Sequence, residues 1–284
     1  MSLTGQAQTG AIPALKRVVS VAACAGLLAG LLLTLAQSFA VNDLIWQAEV
    51  YEAKASVSAQ PRAQPHGAPL HDHAAGEATQ PHQHAAPDAV AVADAVTDAS
   101  PSPSGRGRRI FLTAVANMSL ATGFGLLLCA AIHLRGGVKG WRAGVLWGLA
   151  GYLVFFVAPS LGLPPELPGT EALPLAARQQ WWLETVVSSA VGLSLLRFAP
   201  RWYVKLAGVA LLLLPHWLGA PHLRDAASAA PVELANAFVG ATAMANAVMW
   251  LALGALSGLF YRKAFAAQGL HCQDGFSARH DAAD

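Results

Sequence analysis

Between Val18 and Ala40 the chain carries no charged side chain, and this run decides more about its fold than any other stretch. A helix rises about 1.5 Å per residue, so the run can cross a hydrocarbon core of roughly 30 Å. Further apolar runs follow at residues 110–134, 143–161, 181–198, 202–219 and 234–260. Backbone polar groups inside lipid must be satisfied within one segment or a closed barrel, and these runs are helix-length. The expected fold is therefore all-α, a polytopic membrane bundle of about six transmembrane helices. The runs at 181–198 and 202–219 are near the short limit, and if either lies flat the count falls to five or fewer.

Lys16-Arg17, an apolar core and Ser38-Phe39-Ala40 also fit a cleaved signal sequence. The core exceeds the roughly 7–15 residues of a signal h-region, which favours a retained helix. Gly26 and Gly30 form a GxxxG, as do Gly144/Gly148 and Gly254/Gly258. Such pairs let helix backbones approach closely, the ordinary packing of a membrane bundle.

Only 12% of residues are charged and 55% are hydrophobic, against roughly 25% charged in soluble domains. The net charge of +2 offers no basic face for nucleic acid. Cys24, Cys129 and Cys272 form no CxxC. Two of them lie in apolar runs, where cysteine serves as a small hydrophobe. No GxxxxGK[ST], HExxH or GxSxG occurs, which leaves no signature of a nucleotide-driven motor, a zincin or a nucleophile-elbow hydrolase. The chain is not expected to be an enzyme or to hold a resident cofactor.

The first two runs enclose a polar segment, residues 41–109. It opens with a polar extension of the first helix carrying Trp46, Glu49 and Glu52. From about Ser56 it loses apolar periodicity and is expected to be disordered without metal. Within it lie His66, His71, His73, His82 and His84, five of the ten histidines, the last four in two His-x-His pairs. On extended chain, His-x-His sets both rings on one side. Imidazole suits Zn, Cu, Ni, Fe and Co, and a flexible ligand set suits capture and release.

Basic residues fix the expected orientation. Lys16-Arg17, Arg135, Lys139, Arg142, Arg197, Arg201, Lys205, Arg262 and Lys263 flank one set of ends. That places both termini, residues 1–17 and 261–284, in the cytoplasm and the His-rich segment outside. Arg106, Arg108 and Arg109 run against this, but long loops translocate largely regardless of charge. Trp46, Trp181, Trp182 and Trp217 would form an outer aromatic belt.

Two further constellations could carry chemistry. At the outer rim, His216 and His222 bracket a Gly/Pro break, with Glu166 in the matching loop and Glu49 and Glu52 rising from the first span. The break frees helix carbonyls, so the set could ring a pore with N and O ligands; solvated helix-ending turns explain it equally well. Inside the bilayer, Glu184 lies near the start of the fourth span, with Ser188 one turn on. Intramembrane carboxylates usually face a bundle interior or pathway, although Glu184 could also snorkel to the interface. Asn117, Thr122, Asn236, Thr242 and Asn246 read as interhelical hydrogen-bonding groups. Pro159-Ser-Leu-Gly-Leu-Pro164 and Pro215-His-Trp-Leu-Gly-Ala-Pro221 echo one another where two outward helices stop.

Several ordered motifs carry a family resemblance: Ala48-Glu49-Val-Tyr51-Glu52, Trp147-Gly-Leu-Ala-Gly151, Ala158-Pro-Ser-Leu-Gly-Leu-Pro-Pro-Glu-Leu-Pro168, Arg178-Gln-Gln-Trp-Trp182, Pro215-His216 with Gly219-Ala-Pro-His222, and Leu253-Gly-Ala-Leu-Ser-Gly258. With the His cluster, they make the chain resemble the CbtA family, predicted bacterial cobalt transporter subunits. The resemblance implies a multi-pass inner-membrane protein, usually described with fewer than six spans. It also implies Co2+ as the transported cation and CbtB, a small His-bearing membrane subunit, as partner. It leaves room for a homo-oligomer. The metal-contacting residues expected from chemistry are His66, His71, His73, His82, His84, His216, His222, Glu166, Glu184 and Glu49. The competing readings are a membrane-anchored extracytoplasmic metal buffer or sensor, and an intramembrane enzyme using Glu184 and His216.

Overall fold

The computed structural model describes residues 3–59, 103–223 and 228–280, and what it describes is helical. We number the helices α1 (Leu3–Ala40), α2 (Asn42–Ala59), α3 (Pro103–Leu134), α4 (Trp141–Tyr152), α5 (Leu175–Phe198), α6 (Trp202–Leu218) and α7 (Val232–His280). α4 runs on through a π-helical segment, Leu153–Val157, and a last turn, Ala158–Ser160. Four stretches are long and apolar enough to cross a membrane: Ile12–Ala40, Gly105–Leu134, Trp141–Ser160 and Val232–Ala266. Trp202–Leu218 is a shorter apolar helix. The expected fourth run lies inside α5, which falls outside this set because Gln179, Gln180 and Glu184 dilute its apolar content.

Helices begin earlier or end later than the apolar runs do. α3 starts at Pro103 and α5 at Leu175, while α7 continues to His280. Hydropathy marks only the lipid-facing length, whereas Arg, Gln, Glu and Ala are good helix formers on either side of it. The polar extension after Ala40 is likewise helical, as α2.

α1 and α3, α4 and α7, and α5 and α6 pack antiparallel, and small residues set their spacing. A Cβ added to Gly26 or Gly30 would strike the backbone of Thr122 or Met118 on α3. One on Gly148 would strike the Trp250 carbonyl and Gly254 of α7, and one on Gly144 would meet Gly254 and Gly258. In the α5–α6 hairpin, Gly192 and Gly208 face each other's carbonyls. α1 is central to this arrangement: Ala22, Ala25 and Ala29 are fully buried. Outward-facing leucines such as Leu27, Leu31, Leu127 and Leu146 leave an apolar girdle, the surface that lipid requires.

The two ends of the bundle differ. At one, Arg17 lies over Phe265, Arg135 over Phe198, and Gly137 against Tyr261. This basic end gathers the residues of the charge pattern. At the other, α2 and the loops after α4 and α6 form a cap. Thr170 bridges Ser228, the Ala229 N–H donates to the Gly169 carbonyl at 3.2 Å, and Gly169 abuts Glu52. Ala48, Leu167 and Ala230 bury beneath.

If these glycine contacts set the helix spacing, Gly148→Leu and Gly254→Leu each lower stability by about 1–3 kcal/mol through overpacking. Gly123→Ala, which would meet nothing within 4 Å, leaves it unchanged or slightly higher. Thermal unfolding of the purified protein in detergent reads the difference.

Candidate functional site

A partly polar opening lies under the cap, where α1 turns into α2 against α3 and α7. It is a cavity of about 310 Å³. Its floor is built by side chains from three helices. Asn117 on α3 is 8% exposed, and its Nδ2 donates to Thr34 Oγ1 at 3.1 Å and to Gln37 Oε1 at 2.6 Å, both on α1. The Thr34 hydroxyl in turn donates to the Gly30 carbonyl at 3.0 Å. Thr242 of α7 lines the same cavity, and its buried hydroxyl has no hydrogen-bond partner. Thr113 adds another hydroxyl to the lining.

This floor follows from the helix packing described above. Gly30 brings α1 so close to α3 that Asn117 reaches two α1 side chains without extending. One Asn117 N–H donor set is used by α1, which leaves its carbonyl oxygen, the Gln37 amide and the Thr242 hydroxyl to meet a guest. These are neutral groups. They can share a hydrated cation's water shell and release it again.

The rim holds the two described stalks of the His-rich segment together. Arg109 on α3 makes a bidentate ion pair with Glu49 on α2, at 2.5 Å for its shorter bond. Arg106 lies over the Trp46 ring, 5.1 Å from its centroid. These two contacts join α2 to α3 at the mouth of the cavity.

The expected ligands fall in different places. His66, His71, His73, His82 and His84 lie outside the described residues. Glu49 is occupied by Arg109. Glu166 lies 4.0 Å from Arg178. Glu184 is exposed on α5 and accepts from Gln180 Nε2 at 2.8 Å. His222 is exposed, its Nδ1 2.7 Å from the Ala220 carbonyl. Among the described residues no three His, Cys, Asp or Glu side chains gather closely enough to hold a metal ion.

His216 belongs to a second cluster. Its ring meets Trp181 edge-on, with centroids 5.9 Å apart. Trp181 Nε1 donates to the Pro159 carbonyl at 3.1 Å, and Gly162 leaves room for the indole beside Ala220. The two echoing Pro/Gly turns thus converge on Trp181. That tryptophan is 5% exposed and sits inside the protein rather than in an aromatic belt, whereas Trp217 is 84% exposed. Gly219, at φ 88°, closes α6 by donating its N–H to Pro215. Glu184 on α5 is exposed and bonded to Gln180, whereas His216 on α6 packs on the buried Trp181 ring. The intramembrane asparagines divide similarly. Asn117 bonds between helices, while Asn246 Nδ2 donates to the Thr242 carbonyl of its own helix.

Gln37 and Thr113 had no signal in the sequence beyond a polar residue inside an apolar run. Asn117→Ala is expected to cost about 0.6–1.7 kcal/mol, the range of interhelical hydrogen bonds in bundles. A double-mutant cycle on Arg109 and Glu49 should give about 0.2–1 kcal/mol, because both side chains are well exposed. Equilibrium unfolding in mild detergent checks both.

Residues 15–262 match the family model CbtA, described as a probable cobalt transporter subunit. No curated protein and no solved structure matches the chain.

Proposed function

The chain belongs to the CbtA family of probable cobalt transporter subunits, and from that premise we propose that it moves Co2+ inward across the bacterial inner membrane. The His-rich segment is the extracytoplasmic collector, and the cavity beneath the cap is the vestibule. The observation that carries this reading is their relation in space. Glu49–Arg109 and Trp46–Arg106 join α2 and α3, the helices that flank the His-rich segment in sequence, at the mouth of a cavity with Asn117, Gln37 and Thr242 in its lining.

The physical logic runs from outside to inside. Imidazoles concentrate the cation locally, which raises its effective concentration at the vestibule. Neutral oxygens of Asn117, Gln37 and Thr242 replace part of its hydration shell. A membrane potential contributes about 2.3 kcal/mol per charge per 100 mV, so inward movement of a divalent cation is favoured without a nucleotide site on this chain. The basic end then faces the cytoplasm, as the positive-inside rule requires, and α5 and α6 add two further passes to the four long spans. His216, His222, Glu166 and Glu184 flank the capped side as secondary contacts. A small His-bearing subunit of the CbtB kind is the partner, and a second copy of this chain a further one.

A second reading has its own support. Arg106 and Arg109 both line the cavity, and two guanidinium groups at a mouth favour an anion such as a lipid phosphate. Glu49 neutralises Arg109, while Arg106 keeps its charge beneath the Trp46 ring, so an anion at the mouth is the competing outcome. A metal buffer without transport would use the same collector and would need no vestibule.

Radiolabelled Co2+ uptake into cells expressing the chain, alone and with the small subunit, tests transport. Uptake above the empty-vector control is expected. Replacing His66, His71, His73, His82 and His84 together by alanine should raise the half-saturating Co2+ roughly tenfold through loss of local capture, with the maximal rate retained. No uptake of Co2+, Ni2+ or Zn2+ in either setting would reject the proposal.

A further inference from the structure

Four side chains at the basic end of the α3–α7 seam form a cluster that the vestibule does not use. Cys129 and His133 stand one turn apart on α3, and Ser257 and Tyr261 one turn apart on α7. Residues at i and i+4 share a helix face, so each pair presents both groups to the other helix. Cys129 and Ser257 are completely buried. The buried Ser257 hydroxyl stands against the Cys129 thiol. His133 Nδ1 lies 2.9 Å from the Tyr261 hydroxyl. Tyr261 is held in turn by stacking on Phe265, centroids 4.4 Å apart, and by Gly137, whose missing side chain makes room for its ring. His133 is exposed while Cys129 lies behind it, which gives the cluster an open side at the basic end.

A buried hydroxyl is costly unless it is partnered, and a thiol is only a weak partner for it. A thiol and an imidazole are the protein groups that hold late first-row divalent cations best. In the tautomer whose Nδ1–H donates to the Tyr261 oxygen, His133 Nε2 carries the free lone pair, the arrangement by which outer-shell partners orient metal-binding histidines. No third His, Cys, Asp or Glu joins the cluster among the described residues. Two strong ligands and a hydroxyl suit an ion that must leave again.

We propose that Cys129 Sγ and His133 Nε2, with Ser257 Oγ, form an inner site for a divalent transition metal, and that Tyr261 positions the His133 ring. On coordination the Cys129 thiol gives up its proton to the aqueous phase and its sulfur bonds the metal; the metal's oxidation state does not change. Binding stands on this cluster alone, and its role as the release station for the cation rests on the transport reading.

Co2+ titration of the full-length protein in detergent tests it, in a Cys24→Ser/Cys272→Ser background that leaves Cys129 as the sole thiol. The expected result is a near-ultraviolet thiolate-to-cobalt charge-transfer band accompanied by proton release. Imidazole ligands of the His-rich segment give no such band. Cys129→Ser, nearly isosteric, abolishes the band. Tyr261→Phe keeps the ring stack and raises the half-saturating Co2+ about 10–100-fold, the usual effect of removing an outer-shell partner. A background protein that binds Co2+ without a thiolate band overturns the site, as does a band that survives Cys129→Ser. The band seen in a protein that shows no uptake sustains the site and removes only its release role; uptake without the band removes the site and leaves the transport reading standing.

Discussion

Everything in this bundle depends on helices whose backbones touch. In lipid, apolar side chains gain little by meeting one another instead of acyl tails, so close van der Waals contact and a few hydrogen bonds must hold the helices together. Gly26 and Gly30 bring α1 onto α3; Gly144 and Gly148 interlock with Gly254 and Gly258 of α7; Gly192 and Gly208 close the α5–α6 hairpin. Each contact would be lost to a single added Cβ. The result is a set of seams narrow enough that short polar side chains reach across them.

The polar residues inside the membrane follow from that narrowness. Asn117 spans α3 to α1, and Thr242 projects into the space left beside it. Further along the same α3–α7 seam come Cys129, His133, Ser257 and Tyr261. Between the two groups lies a dry layer. Met249, Trp250 and Leu253 are at most 2% exposed, Phe155 stacks on Trp250, and Phe124 meets the same ring at a tilt. On the proposed transport reading, these two polar groups would be stations on either side of a hydrophobic plug. The π-helical turn at Leu153–Val157, which bears Phe155, falls beside this plug, and π segments often mark places where a helix has been adapted for function.

The sequence was most informative where the chemistry is one-dimensional. An uncharged run is long enough to span lipid or it is not, and the GxxxG pairs announced close packing before any partner was known. The polar extension after Ala40 was legible as helix because Trp46, Glu49 and Glu52 follow the first span without a breaker. Partners were not legible. Glu49 was expected to await a cation, yet an arginine sixty positions away occupies it; only the fold brings Arg109 there. Trp181 looked interfacial like its neighbour Trp182, and nothing local reveals that the Pro159 carbonyl takes its indole proton. Cys129 read as a small hydrophobe in an apolar run, because its neighbours Ser257 and Tyr261 come from another helix. The histidines of residues 66–84, the most conspicuous feature of the sequence, lie outside the described residues, so their part in the function rests on chemistry and on where their stalks stand.

The central claim is that the cavity under the cap opens outward and receives the cation. A single cysteine introduced at Thr113, on the cavity lining, in a background without the native cysteines, tests it directly. A membrane-impermeant thiol reagent should label that cysteine in intact cells, and millimolar Co2+ should slow the labelling. Labelling only after the cytoplasmic face is exposed, or a rate indifferent to Co2+ and equally to Ni2+, would contradict it.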